Sequence, residues 1–118
     1  MPIAWSNYKG KKILVIDLKG LSKEEMLITV EEQKKIIDKA AEPVLILNDF
    51  NNTIASKEYV NKAKKYGAEQ KHKIKKTALL GIQGIKKYLT QVYIRATGNK
   101  NTKIFDNMEE AKEYLVTD

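Results

Sequence analysis

The chain has 118 residues, a length that suits one domain with a single hydrophobic core. It contains no cysteine, which excludes disulfide scaffolds and thiol chemistry and is typical of a reducing compartment. The formal net charge is +7, and the excess lies in residues 57–87, which hold ten lysines and two acids. Only Arg95 among the 22 basic residues is an arginine, and arginine is the side chain that base-reading proteins favour. The composition therefore favours a solvated lysine face over specific nucleic-acid recognition.

The first forty residues predict a hairpin followed by a helix. Residues 3–8 alternate like a short strand, and residues 9–11 (Lys-Gly-Lys) are typical of a turn. Residues 12–18, KILVIDL, form an apolar run rich in β-branched side chains, which predicts a strand covered on both faces. Ser22 and Glu25 have the spacing of a capping box, and Pro43 stops the helix that follows. This helix should run to about Ala41, with an inward face of Met26, Val30, Ile37 and Ala41.

The middle of the chain predicts a second buried strand, a helix and a third strand. The two strands are residues 44–50, VLILNDF, and residues 77–82, TALLGI, with a basic connector at 71–76. Ser56 is the expected N-cap of the intervening helix, which Gly67 should end or weaken. The expected inner face of this helix is Tyr59, Val60, Ala63 and Tyr66.

The last part of the chain predicts a helix, a short strand and a final helix. The first of these helices begins near Gln83 and ends near Gly98, and residues 102–105 form the strand. Asp106 with Glu109 is the expected cap of the final helix. The inward residues should be Ile85, Leu89, Val92 and Ala96 in the first helix and Met108, Ala111 and Leu115 in the second.

These elements predict one α/β domain spanning residues 1–118, with a mixed, mostly parallel sheet of about five strands and four alternating helices. The core should contain residues 13–16 together with Leu45, Leu47, Leu79 and Leu80. The first eight residues lack a charged start followed by an apolar run, and no apolar stretch is long enough to span a membrane. We therefore expect no signal peptide and a cytoplasmic location.

Three segments resemble the bacterial SpoIIAA-like, or STAS-like, group. They are YKGKKILVIDLKGL near the start, the strand that ends in Asn48-Asp49, and the block KKTALLGIQGIKKYL…ATGNKNTKIFDNMEEAKEYL, which is most specific from Ala78 to Leu115. The resemblance covers nearly the whole chain and implies the STAS fold. The wider superfamily includes anti-sigma-factor antagonists and cytosolic domains of sulfate transporters, and its fold is compared with CRAL-TRIO lipid-binding domains.

The sequence departs from the antagonists at their regulatory motif. True antagonists carry D-S-S-G, phosphorylated on serine, after the strand equivalent to residues 44–50. Here residues 48–56 read N-D-F-N-N-T-I-A-S, so the resemblance does not imply that switch. Thr53 and Ser56 lie nearby and are candidates for phosphorylation. The alternative for both is N-capping, which needs no switch.

Candidate site residues lie where the predicted parallel strands end, which is where open α/β sheets bind ligands. Asp17 and Asp49 could hold Mg²⁺ there; alternatively, they bond the amides of their own turns. Gly81-Ile82-Gln83-Gly84 follows a strand and could bind an anion, or could be a tight turn with no room for a side chain. His72 is the only histidine, so we expect no metal site, no cofactor and no catalytic residue.

The leading functional hypothesis is a non-enzymatic regulatory domain that docks a partner protein. A second is a binding domain for a small anionic or lipid-like ligand, and a third is a weak nucleic-acid binder indifferent to sequence. The functional surface should lie at the carboxyl ends of the strands, where Lys57 and residues 86–87 would favour an acidic partner or a phosphate. Its expected residues are Asp49, Asn51, Asn52, Thr53, Ser56, Gly81, Gln83 and Gly84.

Overall fold

The structure is a computed structural model that describes residues 2–82, 90–91, 94–95 and 101–117. Its strands form one sheet in chain order, with the first strand antiparallel to the second and every other neighbouring pair parallel. The strands are β1 (Ile3–Tyr8), β2 (Lys11–Asp17), β3 (Val44–Asp49), β4 (Ile74–Leu80) and β5 (Thr102–Phe105). The expected mixed, mostly parallel sheet of five strands is therefore confirmed.

A two-residue turn joins β1 to β2. Lys9 and Gly10 both have positive φ angles, 49° and 82°. Turns of this kind twist in the same sense as the strands they join, which is why they close tight hairpins. The turn starts the sheet with the antiparallel pair that the sequence predicts.

Helix α1 (Lys23–Lys39) begins at the expected capping box. Glu25 N donates to Ser22 Oγ at 3.1 Å, and Ser22 N donates to the Glu25 carboxylate at 2.9 Å. The helix ends earlier than expected, because Ala40 is its extended C-cap. Ala41 is therefore exposed outside the helix rather than part of its inner face.

Helix α2 (Lys57–Glu69) starts after the predicted N-cap Ser56 but continues through Gly67. A single glycine costs a helix about 1 kcal/mol relative to alanine, which packing can offset. Gln70 caps the helix instead, and its side-chain Nε2 donates to Lys34 O and to Asp38 Oδ1, at 2.9 and 2.8 Å. The expected inner face is only partly correct, since Tyr59 is buried but Val60 is 38% exposed.

Strand β4 starts three residues before its expected beginning, and Ile82 lies beyond its end. A short 3₁₀ turn, Lys71–Lys73, replaces the first half of the expected basic connector, and β4 takes the second half. Ala78 and Leu80 are buried, whereas Leu79 is only half-buried on the opposite face. The expectation that Leu79 lies in the core is therefore wrong, because neighbouring residues of a strand face opposite sides of the sheet.

The structure gives bounds for three helices rather than the expected four. The last is α3 (Met108–Val116), whose N-cap is Asn107 and not Asp106, since Asn107 Oδ1 accepts from Glu110 N at 2.8 Å. Ala111 and Leu115 are buried as expected, but Met108 in the first turn is 36% exposed. The helix expected from Gln83 lies mostly outside the described residues, as do its four expected inward side chains.

The sheet separates two hydrophobic clusters. One lies under α1 and α2 and includes Leu14, Ile16, Met26, Ile37, Ile46 and Tyr59. The other lies under α3 and includes Ile13, Leu45, Leu47, Ala78, Leu80 and Leu115. Alternate residues of β2 and β3 feed opposite clusters, which explains why residues 13–16 and 44–47 are all apolar. None of the helices described here has the length and apolarity needed to cross a membrane.

Candidate functional site at the carboxyl ends of the strands

Strands β3 and β4 end together at one edge of the sheet. Asp49, the last residue of β3, is aligned with Leu80 at the end of β4. Phe50 N donates to Leu80 O at 2.8 Å, which extends the pairing one residue into the loop. The chain then runs through the polar segment 51–56, which we call the edge loop, before α2 begins. The structure thus brings the two predicted segments, after β3 and after β4, to the same place.

Asp49 organises the start of the edge loop. Its side chain is buried, and its Oδ1 accepts hydrogen bonds from Asn51 N at 3.0 Å and Asn51 Nδ2 at 2.7 Å. Lys19 Nζ lies 3.5 Å from the other carboxylate oxygen, and Lys19 N donates to Asp17 Oδ1 at 3.1 Å. Both carboxylates therefore accept hydrogen bonds from groups of their own turns. Across the described residues, the structure shows no cluster of three or more metal-binding acids or histidines.

The two phosphorylation candidates have different local roles. Thr53 is buried, and its hydroxyl donates to Phe50 O at 2.7 Å. Ser56 Oγ accepts from Tyr59 N at 3.1 Å, which confirms the predicted N-cap of α2. Thr53 thus holds the loop closed and Ser56 starts the helix. Phosphorylation of either residue stays a prediction.

Gly81 is the point where the two predicted segments touch. Its φ angle is +80°, and a β-carbon at this position would lie 2.4 Å from Asn51 N. No side chain fits there, so the tight-turn interpretation of this segment is correct for Gly81. Asn52, in the edge loop, also has a positive φ angle, 53°. Gln83 and Gly84, the other expected residues of this turn, lie outside the described residues.

Two residues of this region have features that the sequence analysis missed. Ile54 in the edge loop is 84% exposed, the highest value among the large apolar side chains that the structure describes. The only indication of this exposed side chain in the sequence is that an isoleucine interrupts the polar run N-N-T-I-A-S. Asn48 lies in the expected strand, as the fifth residue of β3, and is buried on the α1/α2 face. The sequence does not predict that its amide oxygen is buried with no hydrogen-bond partner among the described residues.

Part of the local lysine excess serves intramolecular packing. Lys62 Nζ lies 2.6 Å from the Glu31 carboxylate of α1. Lys76 Nζ donates to Tyr114 O at 2.9 Å near the end of α3, and Lys73 Nζ donates to Asp38 O. Cations at the end of a helix satisfy its last carbonyls and interact favourably with its dipole. These three lysines therefore make contacts within the protein, although the sequence alone would leave their charge available to a partner.

No family model and no curated protein matches the sequence. Among solved structures, the chain is similar to the crystal structure of an uncharacterized protein of the DUF3478 family with a SpoIIAA-like fold from Shewanella loihica PV-4. The TM-score is 0.75 over 96% of this chain and 91% of that chain, with 18% sequence identity.

This chain has a SpoIIAA-like fold. The finding confirms the resemblance that the sequence shows and the five-stranded sheet that it implies. At 18% identity the similarity concerns the fold alone. Function in a SpoIIAA-like domain must therefore be argued from the residues of the site itself.

Proposed function

We propose that this SpoIIAA-like protein is a non-enzymatic regulatory domain of the cytoplasm that docks a partner protein through the edge loop. It would share the docking edge of the anti-sigma-factor antagonists that it resembles, without their D-S-S-G switch. The non-enzymatic part of the proposal rests on the sequence, which has no cysteine and one histidine.

The observation that carries the proposal is Ile54. Its side chain is 84% exposed on a loop that Asp49 and Thr53 hold in one conformation through internal hydrogen bonds. A loop that is already ordered loses little conformational entropy on binding. Little of the free energy gained by burying an apolar anchor is therefore offset by that loss. Burying the side chain of one isoleucine contributes roughly 1.5–3 kcal/mol. Ile54 is therefore the expected anchor of the interface.

Charge around the edge loop favours an acidic partner. Lys57, the first residue of α2, is exposed beside the loop, and the Lys19 side chain is 50% exposed on its other side. Exposed charges of one sign mainly increase the association rate and reject partners of like charge. The proposed partner surface thus has an apolar pocket for Ile54 with acids at its rim.

The test is quantitative capture from a lysate of the source cell with immobilised wild-type protein and two variants. Ile54→Asp should reduce the amount of partner captured at least tenfold, because the apolar anchor becomes a charged side chain. Ile28→Asp is the matched control, because Ile28 is 59% exposed and belongs to α1 rather than to the edge loop. Both variants should keep the wild-type melting temperature. Wild-type capture of the partner by Ile54→Asp would contradict the proposal. An equal loss of the partner in both variants would contradict it as well.

A further inference from the structure

Strand β1 lies at the edge of the sheet and carries no charged side chain. It pairs with β2 on one side, and the part of the chain that the structure describes places no strand on its other side. The other four described strands each contain a lysine or an aspartate. Edge strands usually carry charges, prolines or bulges, which prevent them from pairing with another chain. β1 has none of these within its six residues, so its outer edge is open to pairing.

The register of the hairpin determines which backbone groups of β1 face outward. Asp17 N donates to Pro2 O at 2.8 Å, so these two aligned residues form a hydrogen-bonded pair. Hydrogen-bonded and non-hydrogen-bonded pairs alternate along an antiparallel ladder. The backbone groups of the even-numbered residues of β1 therefore face β2. Those of the odd-numbered residues face the open edge, and these residues are Ile3, Trp5 and Asn7.

Trp5 stands at the centre of this open edge. Its side chain is 49% exposed. It lies directly opposite Leu14, which belongs to the cluster under α1 and α2, so Trp5 is on that face of the sheet. Tryptophan is among the side chains that contribute most to the binding free energy of protein interfaces. A half-exposed tryptophan on an unpaired strand therefore indicates an interaction surface.

We propose that β1 pairs with β1 of a second copy of this chain, antiparallel and about a two-fold axis at Trp5, so that two sheets join into one. This axis aligns Trp5 with Trp5 of the second copy, and Ile3 with Asn7 of the second copy. All three outward-facing residues of each copy then belong to hydrogen-bonded pairs. An axis at Ala4 or at Ser6 would pair only two of these three residues with each other.

The side chains also suit this register. The two Trp5 side chains become neighbours on one face of the joined sheet, and aromatic cross-strand pairs stabilise sheets. On the other face, Ala4 is aligned with Ser6 of the second copy, and both side chains are small. A two-fold interface uses the same surface in both copies, so a self-complementary strand needs no other partner. The interface uses none of the edge loop, and the inference is therefore independent of docking through Ile54.

The experiment is sedimentation equilibrium of the whole protein over a dilution series, with Trp5 fluorescence recorded on the same samples. Pairing of two short strands buries a small interface, so we expect a reversible dimer with a dissociation constant in the micromolar range. Trp5 is the only tryptophan, so its emission should shift to longer wavelength as the dimer dissociates. A protein that is monomeric at millimolar concentration overturns the proposal. A dimer that dissociates without a change in this emission overturns it as well.

Opposite charges at position 5 test the register. Trp5→Glu and Trp5→Lys should each weaken the dimer at least about a hundredfold, because like charges would face each other across the axis. Mixed together, they should form a heterodimer at a concentration at which each variant alone is monomeric. Ile28→Glu is the matched control, since Ile28 is 59% exposed on α1, and it should dimerise like wild type. Absence of the heterodimer would overturn the proposed axis.

Proline substitutions test the backbone pairing separately from the tryptophan. Asn7→Pro removes an outward-facing N–H, and proline is tolerated where the N–H of an edge strand faces solvent. The variant should stay folded and weaken the dimer at least about tenfold, the equivalent of the hydrogen bonds that it loses. Ser6→Pro removes an N–H that faces β2 and should instead lower the melting temperature. If folded Asn7→Pro dimerises as tightly as wild type, β1 is not the interface and the proposal is wrong.

Discussion

At the scale of single residues, two glycines of this protein have opposite environments. Gly81 has a φ angle of +80°, and any β-carbon there would overlap Asn51 N and Asn51 Cα. Gly67 lies within α2, and nothing lies within 4 Å of the position of its β-carbon. The first glycine is required by a close approach of two backbone segments. The second is required by neither space nor backbone geometry.

Alanine substitutions should therefore change stability in opposite directions. Gly81→Ala should lower the free energy of unfolding by more than about 1 kcal/mol, because the added carbon must displace backbone at a strained φ. Gly67→Ala should raise it by roughly 0.4–1 kcal/mol, because alanine favours the helix and restricts the unfolded chain. Urea denaturation of the two variants measures both changes. A Gly81→Ala protein as stable as wild type would show that the edge loop is not packed as described.

At the scale of elements, side-chain contacts join α1 to α2. The Glu31 carboxylate accepts from Lys62 Nζ at 2.6 Å and from the Tyr66 hydroxyl at 2.7 Å. The Lys62 ammonium and, next, the Tyr66 hydroxyl hold the pKa of Glu31 below its ordinary value of 4.5. The residues are partly exposed, so solvent screens much of this interaction. These contacts orient α2 against α1 more than they stabilise the protein.

This contact predicts a specific acid dependence. Since the folded pKa of Glu31 is lowered, its stabilisation is fully present above pH 4.5 and is lost as the pH falls through the folded value. Glu31→Gln should flatten the decline of the urea midpoint below pH 4.5 and lower the midpoint slightly at pH 7. Glu32→Gln is the matched control, since Glu32 is exposed on the same helix. A Glu31→Gln curve parallel to that of wild type would contradict the assigned contact.

At the scale of the whole molecule, the central strands stabilise both faces at once. All six residues of β3 are buried, and its four apolar residues alternate between the cluster under α1 and α2 and the cluster under α3. Leu45 is 6% exposed and packs in the α3 cluster, whereas its neighbour Ile46 packs in the cluster under α1 and α2. A loss of packing on one face should therefore destabilise the whole domain.

Leu45→Ala should lower the free energy of unfolding by about 2–5 kcal/mol, the usual range for a large-to-small change in a core. Ile28→Ala on the exposed face of α1 should change it by less than about 0.5 kcal/mol. Equilibrium unfolding followed by circular dichroism measures both variants. Near-wild-type stability of Leu45→Ala would show that β3 is less buried than the structure describes.

The sequence by itself determined the features that depend on residues a few positions apart. The apolar runs specified the strands, the Ser22 and Glu25 pair specified the start of α1, and Ser56 specified the start of α2. Each feature is a short-range contact or a period of side chains, so the chain encodes it locally. The order of these elements also predicted the sheet, because consecutive parallel strands are joined by crossover helices.

Only the tertiary structure decided the features that depend on distant residues. Gly81 touches Asn51 across thirty positions of chain, Leu79 lies on the face opposite the α3 cluster, and Asn48 Oδ1 is buried with no hydrogen-bond partner among the described residues. Register between strands and the distance of α2 from the sheet set these contacts, and no local pattern encodes either of them. The same limit explains why the sequence located the polar edge loop but did not predict the pocket between α2 and the sheet, which Ile46, Tyr59 and Leu79 help to line.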